Sequence, residues 1–179
     1  MKRLEPPALP VWTEEKFSRF YENGYFQDWR KEYLENRTRT IMQVFSFGSS
    51  ILCIGGALGW GLTPLVEKGA SVLNYDTSPY IERFSHLATV KPQKEISAKR
   101  YFDTVYTEDI LLTTSDMDII ELCSFIDSLL PKKVLHFTTI DTDDRSLPPR
   151  TAETYRTLLD HCGFSHHKMI THNDFTRII

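Results

Sequence analysis

The sequence has few cysteines and no long apolar run, and both scarcities restrict what the protein is. Its 179 residues include three cysteines, Cys53, Cys123 and Cys162, an odd number that is too small for a disulfide-stapled fold. Each lies in an apolar pattern, so we expect buried thiols. No apolar run approaches the roughly 20 residues that a membrane-spanning helix needs, and the N-terminal stretch MKRLEPPALP lacks the apolar core of a secretory signal. We therefore expect a cytoplasmic protein with no membrane partner.

A strong charge of either sign is also lacking. The chain has 21 Lys and Arg residues against 24 Asp and Glu residues, which gives a net charge of −3. Because nucleic-acid-binding domains usually concentrate positive charge on one surface, we expect no nucleic-acid partner. Apolar residues make up 41% of the sequence, and a chain of this length can bury them in one packed domain.

From residue 50 onward, apolar strands alternate with amphipathic helices. A strand over Ser50 to Ile54 enters a glycine-rich turn, and the helix after it places Leu62, Leu65 and Val66 inward and ends at Gly69. Further strands are predicted at residues 71–75, within 89–100, at 101–106, 134–140, 168–171 and 175–179. Further helices are predicted from Ser78 with Leu87 on the inner face, from Ser115 with Asp118 in a capping box, and from Thr151 to Gly163.

This alternation predicts an α/β fold in three layers. Strands separated by helices imply right-handed crossovers and a mainly parallel sheet covered on both faces, and such sheets bind ligands at the carboxyl ends of their strands. Two helices, at 13–23 and 25–44, precede the first strand. We therefore divide one compact domain into residues 1–45, an N-terminal arm with helices that can form a lid, and residues 46–179, the α/β part.

The glycine-rich turn does not fit the dinucleotide fingerprint G-x-G-x-x-G. If the motif started at Gly55, its third glycine would be Trp60, and if it started at Gly56, its second would be Leu58. This spacing disfavours a nucleotide-binding oxidoreductase.

The turn instead resembles the first motif of class I S-adenosylmethionine (SAM) dependent methyltransferases, acid-x-Gly-x-Gly-x-Gly. Its four signature positions fall on Cys53, Gly55, Ala57 and Gly59, of which the two glycines match. Asp76 ends the second strand, where the acidic residue of that family takes the two ribose hydroxyls of SAM. One carboxylate can accept both O–H donors of a diol, so the resemblance implies SAM as cofactor.

The rest of the chain agrees with that family in order and spacing over about residues 40–179. The stretch YFDTVYTEDIL resembles its fourth strand and following turn, IDSLLPKKVLHFTTID its next helix and fifth strand, and TYRTLLDHCGF its last helix. The resemblance implies a C-terminal antiparallel strand pair. Two signature positions differ, since Cys53 replaces the acid of the first strand and Ala57 replaces the middle glycine, and no acid follows the third strand to read adenine. One added methyl at Ala57 is tolerated unless that residue needs a positive φ.

Residues of the turn and of the strand ends form the expected site. The cofactor-binding set is Cys53, Gly55, Gly56, Ala57, Gly59, Asp76, Thr77, Thr107 and Glu108. No catalytic residue is identified, and the candidates are Glu108, Tyr21 and Tyr25, the two tyrosines lying among aromatics that could form a lid over the pocket. We expect no metal site, a buried core histidine at His136, and a Cys53 that is not a nucleophile.

The sequence thus predicts methyl transfer from SAM to a small molecule or a protein side chain. The Asn/Asp-Pro-Pro-aromatic signature of DNA amino methyltransferases is replaced by Thr107-Glu108-Asp109-Ile110, which disfavours a DNA base as acceptor. Two alternatives stay open. One is a catalytically silent relative that serves as a binding or regulatory subunit, and the other is an enzyme that uses SAM for aminocarboxypropyl transfer. A homodimer or a partner subunit is also expected.

Overall fold

The computed structural model describes residues 28–96, 101–112, 115–137, 151–163, 169–172 and 175–178. In these ranges, the helices are α1 (Asp28–Met42), α2 (Thr63–Glu67), α3 (Pro79–Arg83), α4 (Asp116–Ser128) and α5 (Ala152–His161). Short 3₁₀ helices occupy Trp60–Leu62, Ser85–Leu87 and Ile110–Leu112. The strands are β1 (Ser50–Ile54), β2 (Ser71–Tyr75), β3 (Pro92–Gln93), β4 (Thr104–Glu108), β5 (Lys133–Phe137), β6 (Met169–His172) and β7 (Phe175–Ile178). None of the helices in these ranges is both long and apolar enough to cross a bilayer.

The strands form one sheet in the order β3-β2-β1-β4-β5-β7-β6. The first five strands of that order are parallel, with Leu52 of the central β1 opposite Leu73 of β2 and Val105 of β4. Strand β7 runs antiparallel to both β5 and β6. Because the five parallel strands point the same way, their last residues meet at one side of the sheet, which we call the carboxyl edge.

Apolar side chains cover both faces of the sheet. Alternate residues of β1 point to opposite faces, so Leu52 and Ile54 pack under α4 and α5, whereas Ile51 and Cys53 pack under α1 and α2. This two-sided burial explains the continuous apolar run of β1 and completes the predicted three-layer α/β architecture.

The three predicted N-cap positions are confirmed, and two of them carry a side-chain cap bond. The hydroxyl of Ser115 accepts the backbone N–H of Asp118, and the hydroxyl of Thr151 accepts that of Thr154, each at 3.2 Å. Ser78 stands at the N-cap of α3 with Pro79 as the first helical residue, but its side chain makes no cap bond. Its backbone N–H donates to Asp76 instead, so the start of α3 is tied to the end of β2.

The fourth strand was predicted at residues 101–106, which is wrong by about three residues. Tyr101 is 81% exposed, and the register of pairing with β1 begins at Thr104, opposite Ile51. The carboxylate of Asp103, just before the strand, accepts hydrogen bonds from the chain that enters β1. The strand consequently runs through Thr107 and Glu108, which places both residues in the sheet and not in the turn after it.

Other boundaries also differ from the predictions. Val66 and Leu87 were predicted to face inward, but they are 46% and 40% exposed. The helix predicted to carry Leu87 ends at Arg83, and Leu87 lies in the 3₁₀ helix that follows. Helix α1 ends at Met42, two residues early, and the described part of β5 begins at Lys133. The predicted helix at 13–23, the start of the next one at 25–27 and residues 138–140 lie outside the described residues.

Candidate functional site

The glycine-rich turn leaves β1 through three residues with positive φ. They are Gly55 at 81°, Ala57 at 46° and Gly59 at 69°. The left-handed region favours glycine, so the positive φ of Ala57 is unfavourable for an alanine. This is the condition under which the extra methyl is not tolerated freely. Its conformation is held from both sides, because its N–H donates to Asp76 and its carbonyl accepts from Asn74.

Two glycines of the turn are required by packing. A Cβ on Gly56 would lie 2.5 Å from Oδ1 of Asn74 and 2.9 Å from Sγ of Cys53. A Cβ on Gly59 would lie 2.5 Å from the carbonyl oxygen of Val90. The buried Nδ2 of Asn74 donates to the carbonyls of both Ala57 and Val90 at 2.9 Å. Asn74 therefore ties the turn to the chain before β3, a role that sequence reasoning missed.

Asp76 lies where the sequence predicted it, beside the turn. Its Oδ2 accepts the N–H of Ala57 at 3.1 Å and its Oδ1 accepts the N–H of Ser78 at 2.9 Å. Burial raises the pKa of this carboxyl above its ordinary value, and the two hydrogen bonds partly oppose the rise. Thr77 follows it in the loop before α3 and is partly buried. The structure thus brings Asp76 and Ala57 into direct contact.

Cys53 is buried on the face of the sheet that α1 and α2 cover. Burial raises the pKa of its thiol, and the nearby Asp76 raises it further. The side chain is therefore a neutral thiol, so no charge stands at the position where the resembled family carries its first acid.

Thr107 is directed into the core and not toward the turn. Its side chain is fully buried and its Oγ1 lies 2.8 Å from Nδ1 of His136 on the neighbouring β5. Burial lowers the pKa of His136 to about 4, which keeps the ring neutral near pH 7. The predicted core position of His136 is confirmed, while a ligand role for Thr107 stays a prediction.

Glu108 ends β4 at the carboxyl edge and is bound by a residue that sequence reasoning missed. Arg37 of α1 donates to Oε1 of Glu108 through one terminal nitrogen and to Oδ2 of Asp109 at 3.0 Å through the other. The Arg37 side chain is only 3% exposed and that of Glu108 is 10% exposed. The isolated helical position of Arg37 carried no sequence signal, because its partners are more than 70 residues away.

Aromatic rings surround this buried ion cluster. The guanidinium of Arg37 lies 4.3 Å from the ring centroid of Phe137 and 5.9 Å from that of Tyr33, within the range of cation–π attraction. Burial raises the pKa of the Tyr106 hydroxyl, which also lies near Arg37. Helix α1 is therefore fastened over the carboxyl edge by charge and by aromatic packing together.

The predicted aromatic lid is only partly within the described residues. Tyr21 and Tyr25, the two tyrosine candidates for catalysis, lie outside them. Trp29, at the start of α1, is 56% exposed, so its side chain is not packed into the core.

The strand order, the parallel pairing and the glycine turn after β1 together define the chain's class. It has the fold of class I SAM-dependent methyltransferases, an α/β three-layer architecture. The candidate site lies at the carboxyl edge between β1, β2 and β4, where such sheets bind ligands.

Comparison with solved structures supports this assignment. A SAM-dependent methyltransferase from Archaeoglobus fulgidus superposes with a TM-score of 0.65 at 18% identity, covering 86% of this chain and 75% of the other. Magnesium protoporphyrin IX methyltransferase from Synechocystis PCC 6803, with bound SAM, gives 0.55 at 18% identity, covering 92% and 88%. Human N-acetylserotonin methyltransferase in complex with SAM gives 0.63 at 15% identity, covering 94% and 59%. No protein-family model matches the sequence, and no curated protein matches it significantly. At these identities the comparisons establish the fold.

Proposed function

We propose that the chain is a SAM-dependent methyltransferase whose acceptor is a small molecule or a protein side chain. The observation that carries the proposal is the Asp76 carboxylate, which lies against the glycine turn with one backbone N–H bonded to each oxygen. A carboxylate oxygen can accept two hydrogen bonds, so both oxygens keep room for a hydroxyl donor. A ribose diol presents two adjacent O–H donors, which one carboxylate can accept together.

SAM supplies an electrophilic methyl group when it is bound. The protein's part in such an in-line displacement is to hold the acceptor close, aligned and dry. Helix α1 provides the cover, because Leu34 shares a buried apolar cluster with Ala57 and Leu58 of the turn while Arg37 anchors the same helix to Glu108 of β4. The candidates for the catalytic residue are Glu108, Tyr21 and Tyr25.

The proposal is tested by calorimetric titration with SAM and with S-adenosylhomocysteine (SAH), using NADH as a negative control. We expect micromolar binding of the two sulfur ligands and none of NADH. In Asp76→Ala the affinity should fall by about 1.5–3 kcal/mol, the range for hydrogen bonds to a charged group.

Two further variants separate ligand binding from damage to the turn. Asp76→Asn keeps one acceptor oxygen for the turn and should also bind more weakly. Asp127→Ala removes an exposed carboxylate from α4 and should bind like the wild type. Unchanged affinity in both Asp76 variants would remove this residue from the site.

A catalytically silent binding or regulatory subunit is the second candidate, favoured by the neutral, buried Cys53 and by the left-handed Ala57. It predicts no heat and no thermal shift with either ligand, followed by recovery of a partner protein. Aminocarboxypropyl transfer would use the same cofactor, and the mass of the modified acceptor distinguishes it from methyl transfer.

We also propose a cytoplasmic location, which suits the free thiols of Cys53, Cys123 and Cys162. The expected homodimer or partner subunit is tested by light scattering of the purified chain.

A further inference from the structure

The carboxylate of Glu108 is buried, and the described residues donate a hydrogen bond to one of its two oxygens. Its side chain is nine-tenths buried and its Oε1 accepts from Arg37. Its Oε2 is buried as well, and none of the residues that the structure describes donates a hydrogen bond to it. A buried charged oxygen without a donor is costly, so this oxygen indicates a donor that arrives with a ligand.

Glu108 lies next to the helix that follows the glycine turn. A Cβ on Gly61 would stand 2.9 Å from Oε1 and 3.1 Å from Oε2 of Glu108. Strand β4 pairs with β1 as far as Thr107 opposite Ile54, so Glu108 follows directly beside the start of the turn. The absence of a side chain at Gly61 leaves the room that the carboxylate occupies.

The charge that β1 lacks is present at the end of β4. Cys53 pairs in register with Tyr106, and residues two apart on a strand share a face, so Glu108 lies on the same face of the sheet as Cys53. The thiol is neutral, whereas Glu108 is stabilised as a carboxylate by the adjacent guanidinium of Arg37. The negative group on this face of the sheet, beside the glycine-rich turn, is therefore on β4 and not on β1.

We propose that Glu108 holds the ammonium group of the methionine moiety of SAM in place of the missing acid of β1, and that Arg37 is the residue that positions it. Arg37 binds Oε1 and thereby directs Oε2 toward the donor. The inference rests on the proposed function, since it assigns one more contact to the same ligand. It makes Glu108 a cofactor-binding residue and not the base.

The test compares SAH with 5′-methylthioadenosine, which keeps the nucleoside and the sulfur but has no ammonium group. Dissociation constants are measured by calorimetry for the wild type, Glu108→Gln and Asp76→Asn. We expect Glu108→Gln to weaken SAH by at least about tenfold, the loss of one hydrogen bond to a charged group, and to leave methylthioadenosine unchanged. Asp76→Asn should weaken both ligands, because both carry the ribose.

Conservative variants keep the test decisive if Glu108→Gln folds poorly. Glu108→Asp keeps the charge but withdraws it by one methylene, and Arg37→Lys keeps the positive charge but removes the planar fork. Both should weaken SAH and spare methylthioadenosine, while the matched Arg39→Lys on the exposed side of α1 should change neither. Selective loss of SAH binding is a result that general damage to the fold does not produce.

The outcomes separate the inference from the proposed function. Equal weakening of both ligands in the Glu108 variants, or no weakening, would overturn the role of Glu108 and leave SAM binding intact. Failure of the wild type to bind either ligand would overturn the proposed function, and the inference with it.

Discussion

Strand β4 has a carboxylate at each end, and the two are held in opposite ways. Asp103, just before the strand, is partly exposed and accepts hydrogen bonds from the N–H groups of Ser49 and Ser50, the hydroxyl of Ser49 and the ammonium of Lys132. Glu108, at the other end, is buried and accepts from Arg37 at Oε1, while no residue in the described ranges donates to its Oε2. The carboxylate with better access to water is thus the one that the chain satisfies more fully.

Desolvation alone would favour the reverse arrangement, because a buried charge needs donors more than an exposed one does. The four donors hold the pKa of Asp103 well below its usual range, Lys132 having the largest effect, so Asp103 fastens the loop before β1. The hydrogen bonds of Asp103 are thus supplied by the chain itself, whereas Glu108 keeps acceptor capacity at the carboxyl edge, where such sheets bind ligands.

The largest expected effect comes from removing Arg37, the donor to Oε1 of Glu108. Arg37→Met keeps most of the side-chain volume but leaves a buried carboxylate unpaired. We expect the free energy of unfolding to fall by about 3–5 kcal/mol, the usual result of breaking a buried ion pair from one side. Chemical denaturation at pH 7 measures it.

The double variant Arg37→Met/Glu108→Gln should recover most of that loss, since no unpaired charge remains. Arg39→Met is the matched control two residues further along α1, where the ion pairs with Glu35 and Glu67 are exposed, and it should cost less than about 1 kcal/mol. If both arginine variants behaved alike, Arg37 would not be a buried anchor.

The next effect belongs to His136, whose pH window lies above that of Asp103. Its pKa is about 4 in the folded protein against 6.5 when exposed, so only the unfolded chain binds the proton between these values. Stability is therefore complete above pH 6.5 and falls by roughly 3 kcal/mol on going down to pH 4. His136→Gln should flatten that slope in denaturation series, and Asp103→Asn should leave it in place. An unchanged slope in His136→Gln would mean that another group titrates there.

The fold was predictable because most of its signals are local. The strands at Ser50–Ile54 and Ser71–Tyr75 have the predicted bounds, and the caps at Ser115 and Thr151 depend on residues only three positions apart. The start of β4 was not predictable, because the side chain of Asp103 takes hydrogen bonds from a segment more than 50 residues earlier. Apolar periodicity carries no signal for such a contact.

The residues of the candidate site also divide into those that local sequence signals predict and those that only the packing reveals. Asp76 could be found, because the spacing between a glycine turn and the end of the next strand is fixed by one strand-helix-strand unit. Arg37 and Asn74 could not, because an arginine on a helix and an asparagine in a strand are ordinary at the surface, and only the packing of α1 and β2 buries them. Ligand roles for Thr77 and Thr107 stay predictions.

A smaller effect is expected at the opposite end of β4. Because the pKa of Asp103 is lowered in the folded state, its contribution to stability is complete above the ordinary value of 3.8 and is lost as the pH falls through and below it. Asp103→Asn should lower the melting temperature at pH 7, by less than Arg37→Met does, and the difference from the wild type should shrink below about pH 4. A difference that persisted in acid would show that the shape of the side chain matters and not its charge.

The smallest expected effect tests whether the carboxylate of Glu108 lies against Gly61. Gly61→Ala adds a Cβ that meets the carboxylate at 2.9 Å, while the loss of backbone freedom in the unfolded chain favours alanine by about 0.4–1 kcal/mol. In the wild type these contributions oppose each other, so we expect no gain in stability. In a Glu108→Ala background the contact is gone and Gly61→Ala should become stabilising. A double-mutant cycle measured by denaturation should then give a coupling of about 0.5–1 kcal/mol. If Gly61→Ala had the same effect in both backgrounds, Glu108 would not lie against the turn, and the charge supplied by β4 could not replace the one that β1 lacks.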